Sequence, residues 1–412
     1  MNTSINLDCF FDGTLGYDFR SSEKYKKNLD KCQKASEKLI LEVKKKSNEV
    51  INSFGLDYQK KIKLKKANIL EKNKKLVIGL GGSSAGAKAL NAYLAGSIYF
   101  FDNYDPRYMS AFFKNHNISE FTIYIISKSG STFETMAMLN LTYQHLLKIL
   151  STEEIKSNVV IITEDSDNLL NNFAKKNGFQ VIAHNKDIGG RFSVFSETVM
   201  TLFDLESSQV SASAESVMLK LTEKNSEDQN NPAVNAAVIL TLQKTNNVRF
   251  NINLLYDYSL KNYSYWFHQL FAESLGKNKD AITPMTSICP KDHHSMMQLF
   301  IDGPKDKLFN IYPPIENKFF ENFSPLNLGN IEKKSPENLL KSQYLGLLKT
   351  FKNKKIPHRI IKSSSNPDDK VGNILELFAY NILETIILGY AQKINPYDQP
   401  AVEQIKLNTF SL

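Results

Sequence analysis

Two turns rich in glycine and hydroxyl groups each follow an apolar run and open a helical pattern: LVIGLGGSSAG (76–86) and TIYIISKSGSTFET (122–135). Backbone N–H groups at a helix start are unpaired and carry partial positive charge, while Ser and Thr add donors with little bulk. Such turns suit a phosphomonoester. Gly79, Gly81 and Asp102 imitate a dinucleotide fingerprint, but Ser84 stands where the third glycine should be, and no Gly-Lys-Ser/Thr closes a triphosphate loop. A tight strand-to-helix turn without a ligand would use the same glycines. In the second turn Ser127, Ser129, Ser131 and Thr132 crowd one strand end, and Ser131 with Glu134 has capping-box spacing. One hydroxyl would serve as a cap; four beside a glycine point to a ligand with several acceptor oxygens.

Proton-transfer chemistry has its own candidates. DIGGRFSVFSETVM (187–200) delivers Arg191 from a paired-glycine turn, where a permanent charge with several donors could steady a developing oxyanion or form a structural salt bridge. In KNYSYWFHQLFAESLGK (261–277), Tyr263, Trp266, Phe267, Leu270 and Phe271 make one apolar stripe of a helix. Glu273 falls within about 20° of Trp266, at the border of that stripe. Partial burial there suits a general base that must also return its proton. Gln269, one turn back, shares the flank and could hydrogen-bond a substrate; an ordinary surface pair of Glu273 with Lys277 is the plainer alternative. In DHHSMMQLF (292–300), Asp292 is placed to cap a helix starting at His293 and His294. A histidine could move protons between ring and hydroxyl oxygens, but no third ligand is spaced for zinc. In NPYDQPAVEQIK (395–406), Pro400 suits a first helical residue, and Gln399 and Lys406 could face one pocket, unless Lys406 simply pairs with Glu403.

The elements that must position these groups alternate. Residues 1–70 read as helical and polar. KLVIGLG (75–81), SIYFFD (97–102), FTIYIIS (121–127), NVVIITED (158–165) and FQVIAH (179–184) then alternate with helical patterns, the rhythm of a parallel sheet covered by helices. A Ser- and Asn-rich region at 206–232 reads as a linker. VRFNINLLYD (248–257), DKLFNIYPP (306–314) and HRIIKSS (358–364) repeat the rhythm more loosely. The division expected is therefore an extension at 1–70, α/β domains at 71–205 and 233–395 joined by 206–232, and a C-terminal segment at 396–412. A length of 412 residues supports two cores.

VGNILELFAYNILETIILGYAQ (371–392) contains Glu376 and Glu384 and reads as a buried core helix, not a membrane span. The start of the chain, MNTSINLDCFFDG, shows no secretion signal. Cys9, Cys32 and Cys289 have neither metal-ligand nor disulfide-framework spacing, so a reducing cytoplasm is expected. The formal charge of +8 is concentrated between Lys44 and Lys75. Without a nucleic-acid motif this reads as a solvated helical face, although the stretch could bind nucleic acid, and a positive field helps attract a dianion.

Taken in order, GLGGSSAG (79–86), SKSGSTFET (127–135), GGRFSVFS (189–196), HQLFAESLGK (268–277), HHSMMQ (293–298) and DQPAVEQIK (398–406) resemble the phosphoglucose isomerase (glucose-6-phosphate isomerase) family. The resemblance implies an α/β fold of two sugar-isomerase (SIS-type) domains, each a mainly parallel sheet flanked by helices, with an N-terminal helical extension and a C-terminal helical tail. It implies exchange between glucose 6-phosphate and fructose 6-phosphate with no cofactor and no metal. By position, Gly82, Ser83, Ser127, Lys128, Ser129 and Thr132 would line the phosphate site, and Arg191 would steady an enediolate. Glu273 matches the base between C2 and C1, His294 and Lys406 match ring-opening residues, and Gln269 and Gln399 match further substrate contacts. A homodimer is implied, with His294 donated across the interface, and no nucleic-acid or membrane partner. Ser131, Leu275 and Ala401 depart from the common threonine, asparagine and glycine without removing a reacting group. A sugar-phosphate sensor, or an isomerase of different or broader sugar specificity, are the alternatives.

Overall fold

The computed structural model describes residues 3–223, 228–245, 247–316, 335–363 and 369–402. Among them lie ten strands: β1 (Ser4–Asn6), β2 (Lys74–Ile78), β3 (Tyr99–Phe101), β4 (Phe121–Ile126), β5 (Val159–Glu164), β6 (Gln180–His184), β7 (Phe250–Leu255), β8 (Thr283–Ile288), β9 (Lys307–Tyr312) and β10 (His358–Lys362). The chain forms two compact units, one of residues 45–215 and one combining 1–44 with 216–412.

In the 45–215 unit the strand order is β3-β2-β4-β5-β6 and every pairing is parallel. A parallel sheet covered on both faces needs strands that are apolar throughout. β4 meets that demand, since all six of its residues are buried, and Ile123 and Ile125 pack with Leu76, Ile78 and Ile161 in one core. From β2 the chain crosses to β3 on one side and later returns to β4 on the other, so the winding direction reverses between β2 and β4. Open α/β sheets bind ligands outside the carboxyl ends of strands at such a reversal. Both hydroxyl-rich turns leave the sheet there, after Ile78 and Ile126.

The second unit repeats the scheme in the order β1-β10-β9-β7-β8. β7 to β10 are parallel, and β1 closes one edge antiparallel to β10. Ile252, Leu254, Phe309 and Ile311 anchor its core. The helix Lys370–Ala391 is long and apolar enough to cross a membrane, but it is buried within this unit, as its glutamates suggest. Glu376 accepts from the Thr3 N–H at 2.7 Å, and Glu384 grips Arg359 with both oxygens, one bond at 2.9 Å. Arg359 also donates to Asn310 at 2.7 Å and Asn235 at 3.0 Å. Removing one partner of such a pair strands a buried charge, so Glu384→Ala should lose about 3–5 kcal/mol of stability in urea denaturation; a loss under about 1 kcal/mol would show that water solvates Arg359.

Two mainly parallel sheets flanked by helices are therefore present, but the boundaries differ from those expected. The 1–70 stretch is not one extension: β1 and the helix Glu23–Lys44 belong to the second unit, where Asn28 donates to Thr241 at 3.1 Å and Tyr390 donates to Glu42 at 2.9 Å. The 206–232 linker holds a sixteen-residue helix, Ser207–Thr222. The 396–412 tail is helical at 400–402, after which it lies outside the described residues.

Candidate active site

The two turns at the β2/β4 reversal are built differently. After β2 a single 3₁₀ turn, Gly81–Ser83, leads into the helix Ala85–Tyr93, whose N-cap residue Ser84 makes no side-chain cap bond. Gly82 is buried and Ser83 half-buried. After β4, Ser127 is buried with its hydroxyl 2.9 Å from that of Thr132, whereas Ser129 and Ser131 are exposed and 3.2 Å apart. Gly130 adopts φ +62°, and a methyl group there would lie 1.9 Å from Asn168 Oδ1. Asn168 caps the next helix, Leu169–Asn177, while the Lys128 carbonyl accepts from the Glu164 N–H at 3.1 Å. The second turn is thereby fastened to the end of β5.

The capping box expected of Ser131 and Glu134 does not form. Thr132 is the N-cap of the helix Phe133–Leu146 and makes no side-chain cap bond, so the hydroxyls are not consumed in capping. Lys128 Nζ lies 3.6 Å from Glu164.

Arg191 follows the Gly189–Gly190 pair in a 3₁₀ segment, Gly190–Phe195, and is 2 % exposed, its guanidinium 5.1 Å from the centre of the Phe192 ring. Its turn rests on the turn after β2. The Ser193 hydroxyl donates to the Gly190 carbonyl at 2.7 Å, with the Gly82 carbonyl at 3.2 Å. From the other side Gln59 Nε2 donates to the carbonyls of Phe195 and Ser53, at 2.7 and 2.6 Å. Glu197 then anchors the end of the segment, taking Lys65 at 2.9 Å and Tyr58 at 3.1 Å, with His184 Nδ1 at 3.5 Å. Burial pushes the Glu197 carboxyl up, but the His184 ring and the Lys65 ammonium outweigh it and bring it from 4.5 down to about 2. A carboxyl lowered on folding stabilises above its unfolded value and loses that contribution as pH falls through its folded one. Glu197→Gln should therefore lower stability by about 1–3 kcal/mol at pH 7, with the gap to the parent closing toward pH 2. A gap independent of pH in urea titrations would contradict the assignment.

In the second unit the helix Lys261–Leu275 buries Tyr263, Trp266, Phe267, Leu270 and Phe271, as its periodicity predicts. Trp266 meets Phe378 edge-on at 4.6 Å, and Ser264 and His268 converge on Thr286 of β8 at 2.8 and 2.7 Å. Glu273 is half-buried at the border of this stripe, and Gln269 Nε2 donates to its Oε1 at 3.1 Å. Gln269 Oε1 is buried and has no hydrogen-bond partner. An unfilled acceptor of this kind costs about 1–3 kcal/mol, which a substrate hydroxyl would recover. Lys277 makes a 2.5 Å ion pair with Asp398 and also bonds the Asn395 carbonyl. This contact holds the C-terminal segment against the end of the helix carrying Glu273. Gln399, the next residue, is exposed; Lys406 lies outside the described residues.

The histidines sit in a 3₁₀ turn, Lys291–His294, followed by the helix Met297–Asp302. Asp292 does not cap that helix. Its carboxylate reaches back to the end of β8, accepting from the Ile288 N–H at 2.7 Å and the Ser287 hydroxyl at 2.9 Å. His294 is exposed and His293 half-buried. No cluster of three or more potential metal ligands occurs among the described residues.

Five lysines of the basic stretch have counter-charges within their own unit. Lys63 pairs with Glu206, Lys65 with Glu197, Lys66 with Asp204, Lys74 with Glu120 and Lys75 with Glu71. Asp102, which mimics a ribose-binding acid in the sequence, is paired with Lys88 at 2.6 Å.

The sequence pattern of phosphoglucose isomerase matches residues 56–289, more than half of the chain. The chain belongs to the phosphoglucose isomerase family. The matched span takes in both hydroxyl-rich turns, Arg191, Gln269 and Glu273; His294 and Gln399 lie beyond it. The glucose-6-phosphate isomerase of Methanocaldococcus jannaschii is 32% identical over 339 residues, covering 80% of this chain and 82% of that protein. The protein of the same name from Mycoplasma capricolum is 27% identical over 357 residues, covering 82% of each. Among solved structures, a hypothetical protein from Thermus thermophilus shares the fold with a TM-score of 0.82 at 22% identity, over 99% of each chain. A glucose-6-phosphate isomerase from Chlamydia trachomatis shares it at 0.67 and 18% identity, over 89% of this chain and 73% of that one.

Proposed function

We propose that this phosphoglucose isomerase family member interconverts glucose 6-phosphate and fructose 6-phosphate in the cytoplasm. The observation that carries the proposal is the half-buried Glu273, held by Gln269 through one oxygen in a family-matched segment, with the Gln269 carbonyl unfilled beside it. In this reading Gly82, Ser83, Ser127, Lys128, Ser129 and Thr132 hold the phosphate. His294 and Lys406 open the sugar ring by moving a proton between the ring oxygen and the anomeric hydroxyl. Glu273 takes the proton from C2, Arg191 steadies the enediolate, and the protonated Glu273 returns the proton to C1. Gln269 and Gln399 hold substrate hydroxyls. Electrons move only within the substrate, from C2 to C1, and the O2 hydroxyl proton passes to O1, so the reaction balances without an external acceptor.

A homodimer completes the proposal, with each protomer lending its exposed His294 to the partner subunit. Purified protein given fructose 6-phosphate should produce glucose 6-phosphate in a coupled assay; a folded but inactive protein would argue for a sugar-phosphate sensor. Sedimentation in the same buffer should show a dimer, and an active monomer would sink the shared histidine.

A further inference from the structure

The two adjacent histidines of the Lys291–His294 turn differ in surroundings. His293 is half-buried with Nε2 2.7 Å from the Tyr256 hydroxyl, and the two rings meet edge to face with centres 5.7 Å apart. His294 is exposed. Tyr256 is the first residue beyond β7; it is buried and lies edge-on to Tyr344 at 5.4 Å. Burial pushes the Tyr256 phenol up, and burial together with neighbouring His294 pushes the His293 ring down. A neutral phenol therefore meets a neutral imidazole, and either can donate in this bond, according to which ring nitrogen carries the proton.

The turn has a second fastening through Asp292, which accepts from the Ile288 N–H, the Ser287 hydroxyl and, at 3.1 Å, the Ser295 hydroxyl. One fastening thus reaches the end of β7 and the other the end of β8, on the two residues that precede His294. A four-residue 3₁₀ turn has few hydrogen bonds of its own, whereas an acting side chain has to be held to about 0.5 Å. That precision has to come from the neighbours.

We propose that Tyr256 and His293 are positioning residues for His294, fixing the turn so that the exposed imidazole is presented in one orientation. The inference rests on the ring-opening role given to His294 above, and it explains why only one of the paired histidines is available for chemistry.

A variant set in the full chain tests it, with turnover of fructose 6-phosphate and melting temperature measured for each. Tyr256→Phe and His293→Leu should each lower kcat about tenfold, since a misplacement of even ~1 Å is costly, with KM within about twofold of the parent. His293→Gln, whose amide can still hydrogen-bond the phenol as donor or acceptor, should stay within about twofold of the parent. In a His294→Ala background, Tyr256→Phe should cost nothing further, because the group it positions is gone. A full additional tenfold loss in that background would overturn the inference while leaving the His294 role intact, as would unchanged kcat in both Tyr256→Phe and His293→Leu. Full turnover in His294→Ala alone would overturn both the His294 role and the positioning device.

Discussion

Glu273→Gln is expected to lose turnover by roughly 10²- to 10⁴-fold, the range for a positioned acid or base, with melting and phosphate affinity near those of the parent. The substitution keeps the side chain's size and its place at the border of the apolar stripe, and it leaves an amide oxygen able to accept from Gln269 Nε2. What it removes is the ability to carry a proton. Glu273→Asp tests geometry instead: the carboxylate remains but is drawn back by about one bond, which should cost roughly 10²-fold or more. The two variants discriminate between explanations. If Asp restores near-normal turnover while Gln is inactive, a carboxylate is needed but its placement is not critical, and the Gln269 contact is not what orients it. Near-normal turnover in Gln means that another residue is the base. Solvent hydrogen exchange at C2 should disappear in parallel with turnover, because both pass through the same proton abstraction.

The core strands and the turns that follow them are more legible in the sequence than the domain boundaries, for physical reasons. β2, β4 and β5 are apolar on both faces, and the turns after β2 and β4 are rich in glycine and hydroxyls, so both signals are local. β8 was missed because it is an edge strand: TPMTSI carries Pro284 and alternates too weakly to resemble a core strand, and most of it is only half-buried. β1 is three residues long. The Ser207–Thr222 helix reads as a linker through its serines, yet Val210, Ala214, Val217 and Leu221 recur at helical spacing and are all buried. Counting that spacing would have found it. Asp292 looked like a helix cap because capping is judged from the next few residues, whereas its actual partners, Ser287 and Ile288, lie behind it. The Tyr256–His293 bond spans two strands of a sheet and leaves no local signal at all.

Gly82→Ala is expected to reduce kcat/KM by about 10²-fold and to lower stability by about 1–3 kcal/mol, although it adds only one methyl group. The methyl would lie 2.1 Å from the carbonyl carbon of Gly190, 2.4 Å from its Cα and 2.6 Å from its oxygen. These are backbone atoms, so no side-chain rotation relieves the overlap and one of the two turns has to move. Movement there separates the elements that the Ser193 hydroxyl links at Gly82 and Gly190, and it displaces Arg191, the next residue in the chain. Phosphate binding and enediolate stabilisation should therefore fail together, which would appear as a raised KM and a lowered kcat. Gly86→Ala supplies the contrast within the same motif. Its methyl would meet side-chain methyls of Val194 and Val199 at 3.0 and 3.3 Å, which can yield by small shifts, and alanine favours a helix interior by up to about 1 kcal/mol over glycine. Gly86→Ala should stay within about threefold of the parent. If Gly82→Ala does the same, the contact between the two turns is not what places Arg191.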